Sequence, residues 1–505
     1  MHKKLLRFLS SVLSAVLLCG CTTAPAVQTM TASASSAASV QAAAAGTLKI
    51  PCTAAGFNPY ITADTLARQN AGLLFEKLVE ITPDLDLDYR LAQSIDNNGT
   101  AVVLQIRSGC YFADGTEITA ADAAASLAAA MASEAYGARL ANIASVTVAG
   151  SAVCLTLQKP DSLFAYLLDV PVLKAGETAA VQPTASGRYT YGADGATLEK
   201  NPRAAFADGG PDTIQLVTIS NADSLVSGLA MGTINYYAPA DSGSTAAGIN
   251  TVESSYKTND LLFVGVNAAA SNPLCATPAG RCLLSALADR NDLAARCYAS
   301  RAYAATGALN SFYPCVKGRQ SILSSADTSS LDAVMTSLGY KMDSASGFYT
   351  NGRSHAHVSL LVCSASSSKR YAAAVLAQEW QSAGIEAEIT EISTYAEYLQ
   401  TIQSGQFELY IGETKLYNDI DLSPFWTGSA SAGVQPSEAL TAAYAAFCAN
   451  AGTAGEFETA FAAEMPYIPL LWCNGVIVTG RRVSGVSASA SSAFYSLSSL
   501  AVSGS

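Results

Sequence analysis

Three short patterns in the sequence carry residue types that could do chemistry. His355-Ala356-His357 sets two imidazoles two residues apart. On a strand that spacing puts both on one face, the start of a metal site. No third ligand stands at a useful spacing, so the pair reads as a solvated strand edge. Ser366-Ser367-Ser368-Lys369 and Ser254-Ser255-Tyr256-Lys257 match SxxK, in which a lysine activates a serine nucleophile. The match is cheap in so serine-rich a chain, and no KTG partner follows. Ser366 also stands where a loop enters a helix, an ordinary capping position. Asp84-Leu85-Asp86-Leu87-Asp88 imitates the opening of a calcium loop, but Tyr89 stands where the loop needs Gly, and Ile95 where it needs Glu. It reads as a solvated alternation. There are 3 His, and His2 lies in the leader, so Ser/His/Asp or Cys/His catalysis would depend on His355 or His357. GxSxG, HExxH, P-loop and GxGxxG motifs do not occur in the sequence. No catalytic constellation stands out, so an enzyme is not expected and no cofactor is implied.

The elements that would position a binding site follow from composition and periodicity. A chain of 505 residues exceeds what one core usually serves, so two or more lobes are expected. With 50% hydrophobic residues, disorder throughout is excluded. The net charge of −12, without basic clusters, argues against nucleic acid as a partner. At the N-terminus, His2-Lys3-Lys4-Leu5-Leu6-Arg7 precedes a short apolar run that ends at Leu18-Cys19-Gly20-Cys21. A basic segment before so brief an apolar run is an export signal and not a spanning helix. Residues 22–46 are Ala, Ser, Thr and Gln without charge or periodicity, a flexible tether. Ten cysteines remain in the body, and at most one or two disulfides are expected, with Cys275 and Cys282 the nearest pair.

Along the body, residues 101–107 and 146–157 are strand-like, the second with a hairpin turn at Ala149-Gly150-Ser151. Thr119-Ala120-Ala121-Asp122 is a capping box, with Asp in place of Glu, that opens a helix to about Ser133. Later the pattern alternates: strand 357–363, helix 369–383, strand 385–392, helix 395–404, strand 407–411. That succession predicts a βαβαβ unit around a parallel sheet.

Four blocks carry a resemblance to a known family. Phe57-Asn58-Pro59-Tyr60 is followed by Leu73-Leu74-Phe75-Glu76-Lys77-Leu78 and Leu91-Ala92-Gln93-Ser94. The segment Leu104 to Asp122, with Phe112-Ala113-Asp114-Gly115-Thr116 at its centre, is the most specific. Leu262 to Asn267 precedes a helix from Arg281 to Arg290, and Glu464-Met465-Pro466-Tyr467-Ile468-Pro469-Leu470-Leu471 closes the series. In this order they resemble the extracellular solute-binding proteins of ABC importers, family 5, the oligopeptide, dipeptide and nickel-binding class. Two loops depart from the family pattern: Arg188 stands in place of a Pro, and Tyr89-Arg90 replaces another Pro.

The resemblance implies an α/β, two-lobed periplasmic-binding-protein-like fold of type II, the large cluster-C class, with mixed and parallel sheets and a hinge. Its parts would be a lipoprotein signal peptide (1–20), the tether (21–46), lobe I (47–262, with an extra subdomain at about 80–184), lobe II (263–474) and a C-terminal segment returning to lobe I (475–505). Leu18 to Cys21 resembles a lipobox, which would place acyl chains on Cys21 and hold the protein at the outer face of the cell membrane. The partners implied are a short peptide and an ABC permease with its ATPase subunits, the binding protein itself acting as a monomer. The same fold could take a sugar or a metal chelate or act as a peptide sensor. A Ser/Lys hydrolase is the remote alternative. A peptide's α-ammonium would meet an acidic side chain, for which Asp419 is the first choice and Asp421 the second. Lys415, Lys369 or Arg370 would face a ligand carboxylate.

Overall fold

The computed structural model describes residues 46–53, 56–206, 209–219, 221–239, 248, 250–323, 328–426 and 434–503. The signal, nearly all of the tether, and Cys21 lie outside the described residues. No helix among the described residues is long and apolar enough to cross a membrane.

Two large hydrophobic cores organise the body. The first begins with β1 (Leu48–Cys52). Beside it β2 (Ala92–Asn98), β3 (Ala101–Ile106), β4 (Ile143–Ala149) and β5 (Ala152–Leu157) form an antiparallel sheet in the order β2-β3-β5-β4. Helix α1 (Ala120–Ala132) lays Ala123 and Leu127 into this core. Its start is the capping box that the sequence predicts: the Asp122 N–H donates to Thr119 Oγ1, and the Thr119 N–H to Asp122 Oδ2 at 2.9 Å. The Asp114-Gly115 turn before it uses a left-handed Gly115, φ +90°, with the Thr116 N–H donating to Asp114 at 2.9 Å. That signature motif is therefore a turn-and-cap device. Strand β6 (Thr213–Thr218) pairs in parallel with β1, from Leu48↔Ile214 to Cys52↔Thr218.

Two long strands connect the cores. β7 (Thr251–Val266) pairs antiparallel with a C-terminal strand, Tyr467–Gly480, along nearly its whole length. At one end Tyr256 and Ile477 pack with the first core, while Leu261 to Val266 and Tyr467 to Cys473 lie in the second. Between these ends the register shifts at Lys257/Asp260, a bulge where both chains pass from one core to the other. Phe494, Leu497 and Leu500 carry the chain back to the first core.

The second core holds the βαβαβ unit. β8 (His357–Cys363), α2 (Ser367–Ser382), β9 (Glu386–Ile392), α3 (Tyr395–Gln403) and β10 (Leu409–Lys415) follow in sequence. The strand order is β10-β8-β9, parallel throughout, with β10 also antiparallel to β7. β10 begins two residues later than its sequence pattern suggests and runs four further, because β7 pairs with it as far as Lys415. Helices α4 (Glu438–Ala449) and α5 (Ala454–Glu464) complete this half before the long strand, labelled β11 (Tyr467–Gly480).

The third and fourth sequence blocks meet here. The Arg281 guanidinium donates to the carbonyls of Glu464, Met465, Cys275 and Ala276, and Arg290 donates to Pro469 and Ser285. Each buried charge is thus satisfied by backbone carbonyls, so both blocks serve to join α5 and β11 to the core. The ten body cysteines are unbridged among the described residues. Cys275 is a buried apolar contact, and the Cys282 thiol donates to the Ala462 carbonyl.

Candidate ligand-binding site

The loop after β10 is built to present carboxylates. Lys415 closes the strand opposite Asp260, with its side chain exposed. The next residues are pinned from below: the Leu416 N–H donates to Asn259, Tyr313 Oη donates to the Asn418 carbonyl at 2.7 Å, and Asn259 Nδ2 donates to Asn418 Oδ1 at 3.1 Å. Asn310 in turn donates to Asn259 at 3.0 Å. Ile420 then sits in the left-handed region at φ 52°, a costly conformation for a β-branched residue, with its side chain fully buried. The strained residue separates Asp419 and Asp421, and both line one cavity.

That cavity, of ≈ 480 Å³, lies between the segment after the β4–β5 hairpin and the Asp419 loop with α4. Its walls touch where the Ser162 N–H and Oγ donate to the carbonyls of Cys448 and Phe447 at 2.7 and 2.8 Å. Asp161 enters from the hairpin side, and its carboxyl is within hydrogen-bond reach of Asp419. Burial pushes Asp161 up to about 6, and the neighbouring Asp421 carboxylate adds to the rise. Asp419 is driven well above the usual carboxylate range, first by burial and then by the charges of Asp161 and Asp421. Burial and mutual repulsion thus both favour the protonated form of this pair. Asp421 behaves differently. Burial alone would raise it, but hydrogen bonds from Tyr444 Oη (2.7 Å) and from the Ser423 N–H (2.9 Å) and Oγ (2.8 Å) keep it below its ordinary value. Lys159, largely exposed, approaches Asp421 only to 3.8 Å.

A second cavity opens on the same half, against β10 and α3, and Lys369 lines it. Lys369 Nζ is 2.7 Å from Glu413 Oε2, and both side chains are largely buried. Arg370 lines neither cavity and pairs on the surface with Glu391 at 3.0 Å. Adjacent residues on a helix point about 100° apart, so Lys369 turns to β10 and Arg370 to β9. Of the five residues singled out in the sequence, the structure therefore brings together Asp419 and Asp421, sets Lys369 in a separate cavity and leaves Lys415 and Arg370 on the surface. The catalytic-looking patterns are absorbed by the fold. Ser366 caps α2 by accepting the Lys369 N–H, the Ser254 to Lys257 segment lies in β7, and His355 stacks on Phe348. Among the described residues no cluster of three or more His, Cys, Asp or Glu could hold a metal. Asp161, Tyr444 and Glu413 went unread in the sequence. Gln158-Lys159-Pro160-Asp161-Ser162 looks like any turn, and only the fold sets it beside Asp419.

A comparison with protein-family profiles matches residues 82–434 to the bacterial extracellular solute-binding proteins, family 5, middle region. The chain belongs to this family. Its members are substrate-binding proteins of ABC transporters, extracellular or periplasmic and without catalytic activity. A search of curated sequences finds no match. Solved structures share the fold at low identity. An ABC transporter substrate-binding protein from Sinorhizobium meliloti aligns with TM-score 0.73 and 19% identity, over 91% of this chain and 100% of the other. A nickel ABC transporter protein from Bacillus halodurans aligns with TM-score 0.72 and 16% identity, over 90% and 99%. The oligopeptide-binding protein AppA from Bacillus subtilis, in complex with a nonapeptide, aligns with TM-score 0.54 and 17% identity, over 91% and 99%. These similarities support the α/β, two-lobed architecture with mixed sheets and leave the ligand to the residues of the site.

Proposed function

We propose that this family 5 protein captures short peptides between two lobes and delivers them to an ABC permease. It would act as a monomer held outside the cell by lipid on Cys21. Lobe I comprises residues 47–262 and 475–505, lobe II residues 263–474, and the bulge in β7 at Lys257/Asp260 is the hinge. The lipid anchor is supported by the Leu18-Cys19-Gly20-Cys21 sequence behind a basic, then apolar, leader.

The observation that carries the peptide reading is the Asp161–Asp419 pair. Two partly buried carboxyl groups face one cavity, and among the described residues neither is in an ion pair. A peptide's α-ammonium supplies the missing cation: it displaces a proton from the pair and satisfies both carboxylates, which a sugar cannot do. The strain at Ile420 and the Tyr313–Asn259–Asn310 network hold Asp419 in place before the ligand arrives, so little ordering remains to oppose binding.

The test is a thermal-shift screen of the protein against di- to hexapeptides, amino acids, sugars and nickel chelates. A ligand that binds only the folded state stabilises it by about 2.7 kcal/mol at a hundredfold excess over Kd. Shifts with peptides alone, absent in Asp419→Ala, are expected. Shifts with sugars or chelates and none with peptides would defeat the reading.

A further inference from the structure

The second cavity plays no part in holding an ammonium group, and its chemistry is the opposite of the first. Its volume is ≈ 420 Å³, within the ~300–1,000 Å³ of sites that enclose small ligands. Tyr398, Tyr410, Leu399, Ile402, Phe263 and Phe425 supply its apolar wall. The rings pack on one another, Phe263 edge-on to Tyr410 at 5.8 Å and to Phe425 at 4.9 Å. Two glycines make room for them: a Cβ on Gly412 would stand 2.2 Å from the Phe263 ring, and one on Gly265 2.0 Å from Tyr410. The hydroxyl of Tyr398 is already used, donating to the Ile411 carbonyl at 2.6 Å. Among the described residues, the charged side chains that line the cavity are Lys369 and Glu413, and they pair with each other. A charged guest would lose its hydration there and find no free partner, whereas an apolar one would gain from burial.

The position of this cavity ties it to the ammonium site. β8 and β10 end at the same sheet edge, and the order β10-β8-β9 reverses direction at β8. Such a switch point opens a crevice at the carboxyl ends of the strands. Six residues of chain lead from Glu413, in this cavity, to Asp419 in the other, so the two lie at most about 20 Å apart. A peptide anchored at Asp419 spans that gap within a few residues.

We infer that this cavity receives a bulky apolar or aromatic side chain of the bound peptide, which makes the protein selective for peptides that carry one. The inference rests on the peptide reading above. The test measures Kd by calorimetry on the full chain for Ala-Ala-Ala and for tripeptides with Phe, Lys or Glu at each position in turn. At one position Phe should bind about tenfold or more tighter than Ala, and Lys and Glu more weakly than Ala. Ile402→Lys introduces a cation on a half-buried wall position, and it should bring the Phe-to-Ala ratio close to one and favour Glu. Leu399→Arg repeats the test should the first variant fail to fold, which its melting curve reports. Equal affinities for Ala, Phe, Lys and Glu at every position would overturn the selectivity and leave the peptide reading intact. An unchanged Phe preference in both folded variants would place the selectivity elsewhere and overturn the assignment of this cavity. Binding of no tripeptide at all would defeat the peptide reading and the inference with it.

Discussion

The two cavities of this protein treat charge in opposite ways. In the first, Asp161 and Asp419 confront each other, neither in an ion pair among the described residues, and both are pushed above the usual carboxylate range. In the second, Lys369 and Glu413 neutralise each other amid aromatic rings. The ionised pair raises the free energy of the empty protein and is relieved by a proton or by an incoming positive charge. The neutral pair offers a charged guest nothing to offset its lost hydration and leaves the cavity open to apolar surface. What separates recognition from scaffolding in this chain is the partner of a buried charge more than the burial itself. Glu458 makes the point: burial pushes it up to about 7, yet both its oxygens accept backbone N–H groups, from Ala308 and Leu309 at 2.9 and 2.8 Å. Its carboxyl fixes a loop and has nothing left for a ligand.

Substitutions can break or sharpen that contrast. The largest effect is expected from Asp419→Ala. Affinity for a peptide with a free amino terminus should fall about 100-fold or more, the scale on which one partner of a buried charge pair acts. The melting temperature should hold or rise, because a carboxyl repulsion is removed. Calorimetry and thermal unfolding read the two separately, and a loss of stability without a loss of affinity would reverse the assignment.

Glu458→Gln should do the converse. An amide cannot accept from both N–H groups, so stability should drop by about 1–3 kcal/mol while peptide Kd is unchanged. Denaturant melts beside titrations check it.

Next comes pH. Asp161 moves from 3.8 in the unfolded chain to about 6 when folded, so between these values the folded state holds more proton than the unfolded one. The contribution of this group to stability is greatest below its unfolded value and is lost as pH rises toward 6, on the order of 2 kcal/mol. Thermal melts of the empty protein from pH 4 to 7 should show a decline to which Asp419 and Glu458, also raised, contribute, and Asp161→Asn should make it shallower. The smallest effect belongs to Arg370→Ala. Its ion pair with Glu391 is half exposed, and such pairs contribute about 0–1 kcal/mol. The melting temperature should barely move.

Much of the scaffold was legible in the sequence. The capping box at Thr119, the hairpin turn at Gly150 and the βαβαβ alternation all rest on local periodicity and turn chemistry, and each appears where the pattern puts it. The site was legible only in part. Asp419 and Asp421 were reached through resemblance, because nothing local distinguishes them from the carboxylates of any turn. Asp161 was out of reach, since it comes beside Asp419 only once the hairpin segment folds against α4. Lys369 and Arg370 looked interchangeable as neighbours, and helix geometry sent them to different strands. Lys415, in the same stretch, was expected to face a ligand carboxylate, but the pairing of β10 with β7 leaves it exposed at the strand end.

In the proposed function, a peptide ammonium completes the Asp161–Asp419 pair. The most direct measurement compares a tripeptide with its N-acetylated form by titration calorimetry at several pH values from 5 to 7.5. The free amine should bind, tighten as pH rises through about 6 and release a proton from the carboxyl pair, while the acetylated peptide should bind at least about 100-fold more weakly. Equal affinity for the two peptides, with no proton released, would contradict it.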